Sequence, residues 1–404
     1  MKVTKPEGLG RFGSIVEDFN YDSHEDWEQL KELNLKTLVT LVRGNGVDHY
    51  DNVIKNASIV GRARRTQEVL LEKKYGPDYH LRFKEWDEVD KSAYETRKRW
   101  NQHFSDLPDT WHSVSGKTDD EGKTLGAFAG AECLWHSNES GCYYFAPLVM
   151  LYGRQGMVGS ATGFCSSTDW YEKQSESFRS ELDELVAYHE YKPYSLAPGS
   201  NDPGHEAVMR SNFTMDSGAD IPLVIKSPGG IKGLHFTFTT VRSFVGMSQK
   251  ESDALIDKLV KELYTEEYMW PIWWEQNQGD LILFDNSIIT HNRVLKEGLD
   301  FKETMYNRYA IRSACDYQDM GDYEPFYQEE YNLRRKEYTD PMNHNSDALF
   351  KHHTKLVLES LNEAESVEYV KRFTPERLNE IVSYDLSNDP HLYRFIKHKK
   401  PASY

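Results

Sequence analysis

The sequence has little of what would bind it to nucleic acid or to a membrane. Its 404 residues carry a formal charge of −17, and it has no long basic run, since the KHKK stretch is short and terminal. Such a surface repels phosphate backbones and anionic lipid headgroups. No window approaches the roughly 18 apolar residues of a membrane-spanning helix, and no apolar stretch follows the first lysines as in a signal peptide. We therefore expect no nucleic-acid partner, no membrane association and a cytoplasmic protein.

Cysteine is also scarce, and its spacing excludes two classes of small domain. The four cysteines, Cys133, Cys142, Cys165 and Cys315, include no CxxC pair. This spacing fits neither a structural zinc site nor a disulfide scaffold in a chain of this length. We expect reduced, partly buried thiols.

The hydrophobic residues that are present are concentrated in short segments with the pattern of β-strands. Hydrophobic residues make up 38% of the chain and aromatic residues 13%, so disorder is not expected. Strands are predicted at Leu38–Val42, Ile221–Ile225, Leu234–Val241, Leu281–Phe284 and Tyr309–Ile311, and a helix at Ser23–Leu33. Ser248 followed by Glu251 predicts a capping box that begins another helix. The pattern predicts a mainly β (α+β) protein, a sandwich or jelly roll with flanking helices.

Two histidines stand in segments that point to metal chemistry. His136 lies in the segment LWHSNESG, and His291 ends the stretch QGDLILFDNSIITH, which the pair Arg308 and Arg312 follows. Non-haem iron enzymes bind Fe(II) through two imidazoles and usually one carboxylate, which leaves the opposite face open. A residue two after a histidine in extended backbone projects to the same side, so H-x-D/E supplies two ligands economically. Arg308 and Arg312 would share one side of a strand, where a guanidinium can bind a dicarboxylate.

In this order the segments resemble the taurine/2-oxoglutarate dioxygenase-like family of Fe(II) enzymes over roughly residues 8–315. The WHS segment resembles its first metal motif, and Gly159 to Phe164 resembles its GG-x-T-x-F element. The GD…DN…H stretch and the arginine pair resemble its later motifs. The resemblance implies a double-stranded β-helix (jelly roll) fold, with Fe(II), 2-oxoglutarate and O2. It also implies His136 and His291 as metal ligands, Thr162 and Arg308 on the far carboxylate of 2-oxoglutarate, and Arg312 near the cosubstrate or an anionic substrate group.

One position departs from the family pattern. The carboxylate ligand falls on Asn138, and Glu139 is next to it but should point the other way. Asn138 could bind through its amide oxygen, or a local bulge could bring Glu139 to the metal. Alternatively no protein carboxylate binds, and a halide or water takes the position, as in related halogenases.

The resemblance leads to one function and two alternatives. We expect a 2-oxoglutarate-dependent oxygenase that hydroxylates a small-molecule substrate and releases succinate and CO2. Tyr143, Tyr144 and Trp273 are candidate walls of the substrate pocket. The alternatives are a halogenase with the same iron chemistry and a non-catalytic binding protein on this fold.

The chain divides at about residue 320, where its composition becomes charged and helical. Residues 1–320 are predicted to form the dioxygenase-like catalytic domain, and residues 321–404 a helical C-terminal extension. The extension is a candidate contact for a homo-oligomer. The long polar loop of residues 193–218 is a candidate lid, because loops of this length in compact domains are often functional.

Overall fold

The computed structural model describes most of the predicted catalytic domain. The described residues are 1–63, 71–72, 74–103, 107–108, 110–128, 133–140, 145–190, 207–208 and 219–320, with the single residues 375, 379 and 383. Nearly all of the predicted lid and of the predicted C-terminal extension therefore lies outside the described residues. Among the helices that are described, none has the length and apolar character needed to cross a membrane.

Short strands dominate the described chain, with helices between them. The strands are β1 (Lys2–Thr4), β2 (Ser14–Glu17), β3 (Val39–Val42), β4 (Gly61–Ala63), β5 (His112–Ser115), β6 (Leu148–Gln155), β7 (Ser160–Ser166), β8 (Val186–His189), β9 (Ala219–Pro222), β10 (Val224–Lys226), β11 (Lys232–Leu234), β12 (Val241–Phe244), β13 (Met269–Trp273), β14 (Leu281–Asp285), β15 (Ile289–Leu295) and β16 (Tyr309–Tyr317). The α-helices are α1 (His24–Thr37), α2 (Tyr50–Val60), α3 (Glu88–His103), α4 (Thr168–Lys173), α5 (Glu176–Glu184), α6 (Gln249–Leu263) and α7 (Phe301–Asn307), and single 3-10 turns lie at Tyr79–Leu81, Phe83–Glu85 and Glu266–Tyr268.

The strands form one large sheet and three smaller ones. The large sheet has the order β1-β2-β3-β14-β6-β16-β4, with β5 also paired to β16, and the smaller sheets are β13-β7-β15, β12-β8-β9 and β10-β11. Only the β2–β3 pairing is parallel among the described ladders. Phe284 of β14 and Phe164 of β7 meet in one core cluster, so the large sheet packs against β13-β7-β15. The predicted sheet-rich architecture with flanking helices is confirmed.

Alternation along β14 explains why the large sheet has a core on each face. Ile282 and Phe284 belong to the core between the sheets, whereas Leu281 and Leu283 face a second cluster. In that cluster Trp27 of α1 and Val53 of α2 cover the outer face of the sheet. A strand buried on both sides reads as a continuous apolar run, as LILF does.

Helix starts follow the predicted capping chemistry. The Ser23 side chain accepts a hydrogen bond from the Asp26 backbone N–H at the start of α1. Ser248 and Glu251 form the predicted capping box at the start of α6. A cap of this kind contributes about 1 kcal/mol, because it satisfies a backbone donor that the helix leaves unpaired.

Two strand predictions in residues 221–241 are wrong in extent. The segment Ile221–Ile225 is divided between β9 and β10, and in Leu234–Val241 only the two end residues are in strands. Between those ends the Thr240 and Val241 backbone N–H groups both donate to the Thr237 carbonyl, which closes a turn. Residues 235–240 are all buried. Their alternation of polar and apolar residues therefore does not mark a strand with one face exposed to solvent.

Candidate active site

His136 and His291 are brought together by an isolated antiparallel bridge. The His136 backbone N–H donates to the His291 carbonyl at 2.9 Å, and the His291 N–H donates to the His136 carbonyl at 2.7 Å. Both side chains leave the same side of this pair, and their ring centroids lie 4.1 Å apart. The backbone thus fixes the spacing of two imidazoles that stand 155 residues apart in the sequence (291 − 136).

The surroundings keep both imidazoles in the neutral form that a metal ligand needs. His136 Nδ1 lies 2.6 Å from the Leu134 carbonyl oxygen, and a carbonyl only accepts, so Nδ1 carries the proton and Nε2 has the lone pair. The Cys133 Sγ lies 3.6 Å from Nε2. Burial lowers the pKa of His136 to about 4 and lowers that of His291 well below its usual range. His291 Nδ1 has no hydrogen-bond partner in the described structure.

A tight turn after His136 presents Asn138 and turns Glu139 aside. Glu139 has a φ of 62°, and its carboxylate accepts the Ala146 backbone N–H at 3.0 Å. Asn286 holds the turn: its Oδ1 accepts the Asn138 N–H, and its Nδ2 donates to the carbonyls of Asn138 and Ala146, all at 2.8 Å. Because Asn286 is fully buried, these bonds fix the Asn138 backbone without competition from water.

The histidine pair opens into a cavity of about 60 Å³. Its lining residues are Val114, Phe128, Cys133, His136, Asn138, Val149, Leu151, Thr162, Phe284, His291, Asn292, Arg293, Arg308 and Arg312. The structure thus brings together six of the residues singled out in the sequence. Glu139 and Trp273 are not in the lining, and the Trp273 carbonyl accepts from Arg43 instead. Tyr143 and Tyr144 lie outside the described residues.

The part of the cavity beside Arg293, in the second half of β15, is strongly positive. Thr162 of β7 lies directly opposite Arg293 of β15, and Arg293 shares the His291 side of its strand. Arg308, which follows α7, is buried, and burial together with the charge of Arg293 lowers its pKa to about 9. The Nε atoms of Arg308 and Arg312 have no hydrogen-bond partner in the described structure. Guanidinium groups desolvated in this way are stabilised by a bound anion.

Arg293 is the functional candidate that sequence reasoning missed. The signal was present, because a residue two after His291 in a strand must share its side. Its Nη1 donates to the Phe128 carbonyl at 2.9 Å, which holds the side chain along the cavity wall. Asn292 also lines the cavity, and its Oδ1 is buried without a hydrogen-bond partner in the described structure.

The Gly-Asp motif before β14 has a structural role outside the cavity. Asp280 accepts the Gly44 N–H at 2.7 Å and an Arg43 guanidinium N–H at 2.9 Å, which ties β14 to the end of β3. Gly279 has a φ of 97°, and a Cβ there would lie 2.5 Å from the Val47 carbonyl oxygen. The motif therefore fixes the register of the strand that leads to Asn286.

The donor set suits a divalent metal held mainly by histidine. No three His, Cys, Asp or Glu side chains converge anywhere in the described part of the chain, so a carboxylate does not complete the set there. Two further polar side chains of the lining belong to the His136 segment. Cys133 Sγ lies 3.5 Å from His136 Nδ1, and the Asn138 amide, two residues after His136, has an Nδ2 without a hydrogen-bond partner in the described structure. Since the two ends of an amide are nearly identical in shape, a rotation about its last bond turns the oxygen to the same position. Two neutral imidazoles and an amide oxygen fit Fe(II).

The sequence matches the model of one protein family over most of its length. The family is described as taurine catabolism dioxygenase TauD, TfdA family, and the match covers residues 5–299 of the chain. The chain belongs to this family. It is a 2-oxoglutarate-dependent dioxygenase that uses Fe(II) and O2. No curated protein sequence matches the chain.

Solved structures of low sequence identity share the fold. A taurine dioxygenase from Burkholderia xenovorans is 17% identical with a TM-score of 0.50, over 79% of this chain and 89% of its own. A putative α-ketoglutarate-dependent taurine dioxygenase from the same organism is 17% identical with a TM-score of 0.51, over 79% and 93%. AAD-2 in complex with Mn(II) and N-oxalylglycine is 16% identical with a TM-score of 0.52, over 81% of this chain and 100% of its own. This likeness supports the jelly-roll fold that the family implies.

Proposed function

We propose that this dioxygenase hydroxylates a small-molecule substrate and binds iron through His136, His291 and the amide oxygen of Asn138. The observation that carries the proposal is the convergence of these three side chains on one cavity, with the two imidazoles fixed by a backbone bridge. Neutral imidazoles bind a metal without having to release a proton at pH 7.

Asn138 is favoured over Glu139 as the third ligand by the shape of the turn. The Glu139 carboxylate accepts the Ala146 N–H and is absent from the cavity lining. Moving it to the metal would break that hydrogen bond. A neutral amide binds Fe(II) more weakly than a carboxylate does, and it leaves one more positive charge at the site.

The positive end of the cavity suits the far carboxylate of 2-oxoglutarate. Thr162 can donate its hydroxyl, and Arg308 and Arg293 can each donate charge-assisted N–H groups to a carboxylate between them. Arg312 lies in β16, four residues after Arg308, and also lines the cavity. It is placed to contact the cosubstrate or an anionic group of the substrate.

When bound, iron supplies the oxidising chemistry by which 2-oxoglutarate and O2 yield succinate, CO2 and an oxidised substrate. The chain's own residues orient the reactants and exclude water. Phe164 and Phe284 pack against the His291 ring, with centroid distances of 6.2 and 4.7 Å. This apolar wall restricts the imidazole to one orientation and keeps water from the side of the ring that they cover.

Turnover of 2-oxoglutarate with defined variants tests the proposal. Succinate formation by the Fe(II)-loaded protein is expected to disappear in His136→Ala and His291→Ala and to fall strongly in Asn138→Ala. Glu139→Gln is the matched variant at the neighbouring position and should keep most of the activity. Full activity in Asn138→Ala together with loss in Glu139→Gln would reverse the assignment of the third ligand.

Halogenation is the second candidate, and one observation favours it. No carboxylate side chain is among the residues that the structure places around the cavity, whereas three guanidinium groups are. Such a site attracts an additional anion, and a halide bound beside iron would be transferred to the substrate. Product masses obtained with chloride and without it distinguish the two reactions, because hydroxylation is independent of chloride.

A further inference from the structure

The thiol of Cys133 lies inside the candidate iron site and has no role in the proposed function. Cys133 is 8% exposed, and its Sγ lies 3.5 Å from Nδ1 and 3.6 Å from Nε2 of His136. It lines the cavity together with both histidines, and it is the one sulfur-bearing residue among those that the structure places around the cavity. A sulfur atom is therefore part of the wall of the chamber in which O2 is used.

The backbone fixes this thiol beside the position of the metal. The Arg293 N–H donates to the Cys133 carbonyl at 3.1 Å. This bond continues the bridge between His136 and His291 toward Cys133. A metal–imidazole bond is about 2.1 Å long, so a metal on Nε2 of His136 lies no more than about 6 Å from the sulfur, whatever the direction of the bond.

Unpaired polar atoms indicate that the same cavity is built to hold ligands. Arg308 is 2% exposed and Asn138 is 5% exposed, and both line the cavity with Cys133. Neither Arg308 Nε nor Asn138 Nδ2 has a hydrogen-bond partner in the part of the chain that is described. Buried polar groups without partners are costly, so bound groups are expected in this cavity, next to the thiol.

A thiol is easily oxidised, and the reaction of this family supplies the oxidant. In a turnover without substrate, one atom of O2 enters succinate and the other is inserted between the sulfur and its hydrogen. An S–O bond replaces the S–H bond, and the proton stays on the new oxygen as a sulfenic acid. The sulfur and the keto carbon of 2-oxoglutarate lose two electrons each, and O2 takes up all four. A second turnover of the same kind gives the sulfinic acid.

We propose that Cys133 is a self-oxidation site, which the enzyme's own reaction converts to the sulfenic and sulfinic acids when no substrate fills the cavity. The inference rests on the proposed function, because the iron must be bound at His136. A sulfinic acid is ionised at pH 7, and the charges of Arg293 and Arg308 reach the Cys133 position. The new anion therefore competes with 2-oxoglutarate for these guanidinium groups, so that turnover without substrate limits itself.

Two other cysteines provide controls within the same molecule. Cys165 and Cys315 are 4% and 1% exposed, and neither lines the cavity. Each belongs to a core cluster other than the one that contains Cys133. They are therefore as buried as Cys133 but remote from the proposed iron position.

Peptide mass spectrometry after incubation with Fe(II), 2-oxoglutarate and isotopically labelled O2 tests the proposal, with no added substrate and with catalase to remove free peroxide. We expect at least about tenfold more labelled oxygen on Cys133 than on Cys165 or Cys315, and none when Zn(II) replaces Fe(II). Cys133 and Cys142 share one tryptic peptide, so fragment spectra are used to locate the oxygen.

Binding of 2-oxoglutarate to the oxidised protein is the second readout. After reloading with Fe(II) in the absence of O2, the oxidised protein should bind 2-oxoglutarate about tenfold more weakly, as measured by the visible Fe(II)–2-oxoglutarate charge-transfer band. Cys133→Ala is the matched variant, and its affinity for 2-oxoglutarate should be the same before and after the oxidising incubation.

Succinate formation without labelled oxygen on Cys133 would overturn the proposal and leave the proposed function standing. Equal oxidation of Cys133, Cys165 and Cys315 would also overturn it, because that result means unspecific damage. Undiminished binding of 2-oxoglutarate by the oxidised protein would overturn the self-limiting role. Absence of both succinate and the charge-transfer band would contradict the iron site itself, and the proposal with it.

Discussion

Replacing Asn286 by alanine should weaken iron binding although Asn286 does not line the cavity. The substitution removes three buried hydrogen bonds of 2.8 Å, two to the backbone of Asn138 and one to the Ala146 carbonyl. Each backbone group left unsatisfied costs about 1 kcal/mol or more, so the free energy of unfolding should fall by about 3 kcal/mol. Loss of a residue that orients a metal ligand typically weakens metal binding by about 10–100-fold, and we expect an effect in that range.

Asn34 offers a matched control for this experiment. It is also fully buried and also makes three hydrogen bonds, to Thr40, Leu283 and Tyr317, but it contacts the outer side of the large sheet. Asn34→Ala should lose comparable stability in chemical denaturation of the metal-free protein, with unchanged Fe(II) affinity. Fe(II) binding by Asn286→Ala as tight as that of the unmodified protein would refute a role of Asn286 in orienting Asn138. Equal weakening of iron binding in Asn34→Ala would refute this role as well.

Three further results are expected. Arg293→Gln should raise the KM for 2-oxoglutarate about tenfold or more in steady-state kinetics through loss of a charge-assisted bond, and an unchanged KM would remove it from the cosubstrate site. The buried His235 has a pKa of about 4, below its usual value, so the unfolded chain binds the extra proton first and stability falls as pH decreases from 6.5 to 4. In denaturant titrations, the free energy of unfolding of His235→Asn should therefore fall by up to about 3 kcal/mol less over this interval than that of the unmodified protein. Equal pH dependence of the two proteins would contradict the lowered pKa of His235. Gly279→Ala should lower the free energy of unfolding by about 2 kcal/mol or more, because the new Cβ meets the Val47 carbonyl. Gly230→Ala is the control, because Gly230 has a φ of 79° and open space around it, so that this variant measures the backbone strain alone. Equal losses of stability in the two variants would count against the clash.

The residues of the candidate iron site could be predicted from the sequence, because they depend on residue type and on the two-residue periodicity of strands. His136, His291, Thr162, Arg308 and Arg312 were all predicted from motif order, and all five line one cavity. Their roles remain predictions until the variants are measured. The departure at Asn138 was visible, yet the choice between it and Glu139 depended on a turn that no periodicity describes.

Other features of the molecule could not be predicted, because they depend on contacts between residues that are far apart in the sequence. Trp273 was a candidate pocket wall, but alternation along β13 buries Ile272 and directs Trp273 to the other side. Asn286 was noted only as part of a motif, and its hold on Asn138 depends on contacts between residues 148 positions apart. The polar residues of 235–240 are buried by packing on both sides, which an alternating pattern cannot reveal.

The central claim is that two histidines and a neutral amide form a working iron site. Anaerobic titration with Fe(II) and 2-oxoglutarate, followed through the visible metal-to-ligand charge-transfer band, tests it most directly. We predict a saturable band that is absent in His136→Ala and in His291→Ala, weakened in Asn138→Ala and retained in Glu139→Gln. No band at any iron concentration, or a band that both histidine variants retain, would contradict an iron site at these residues.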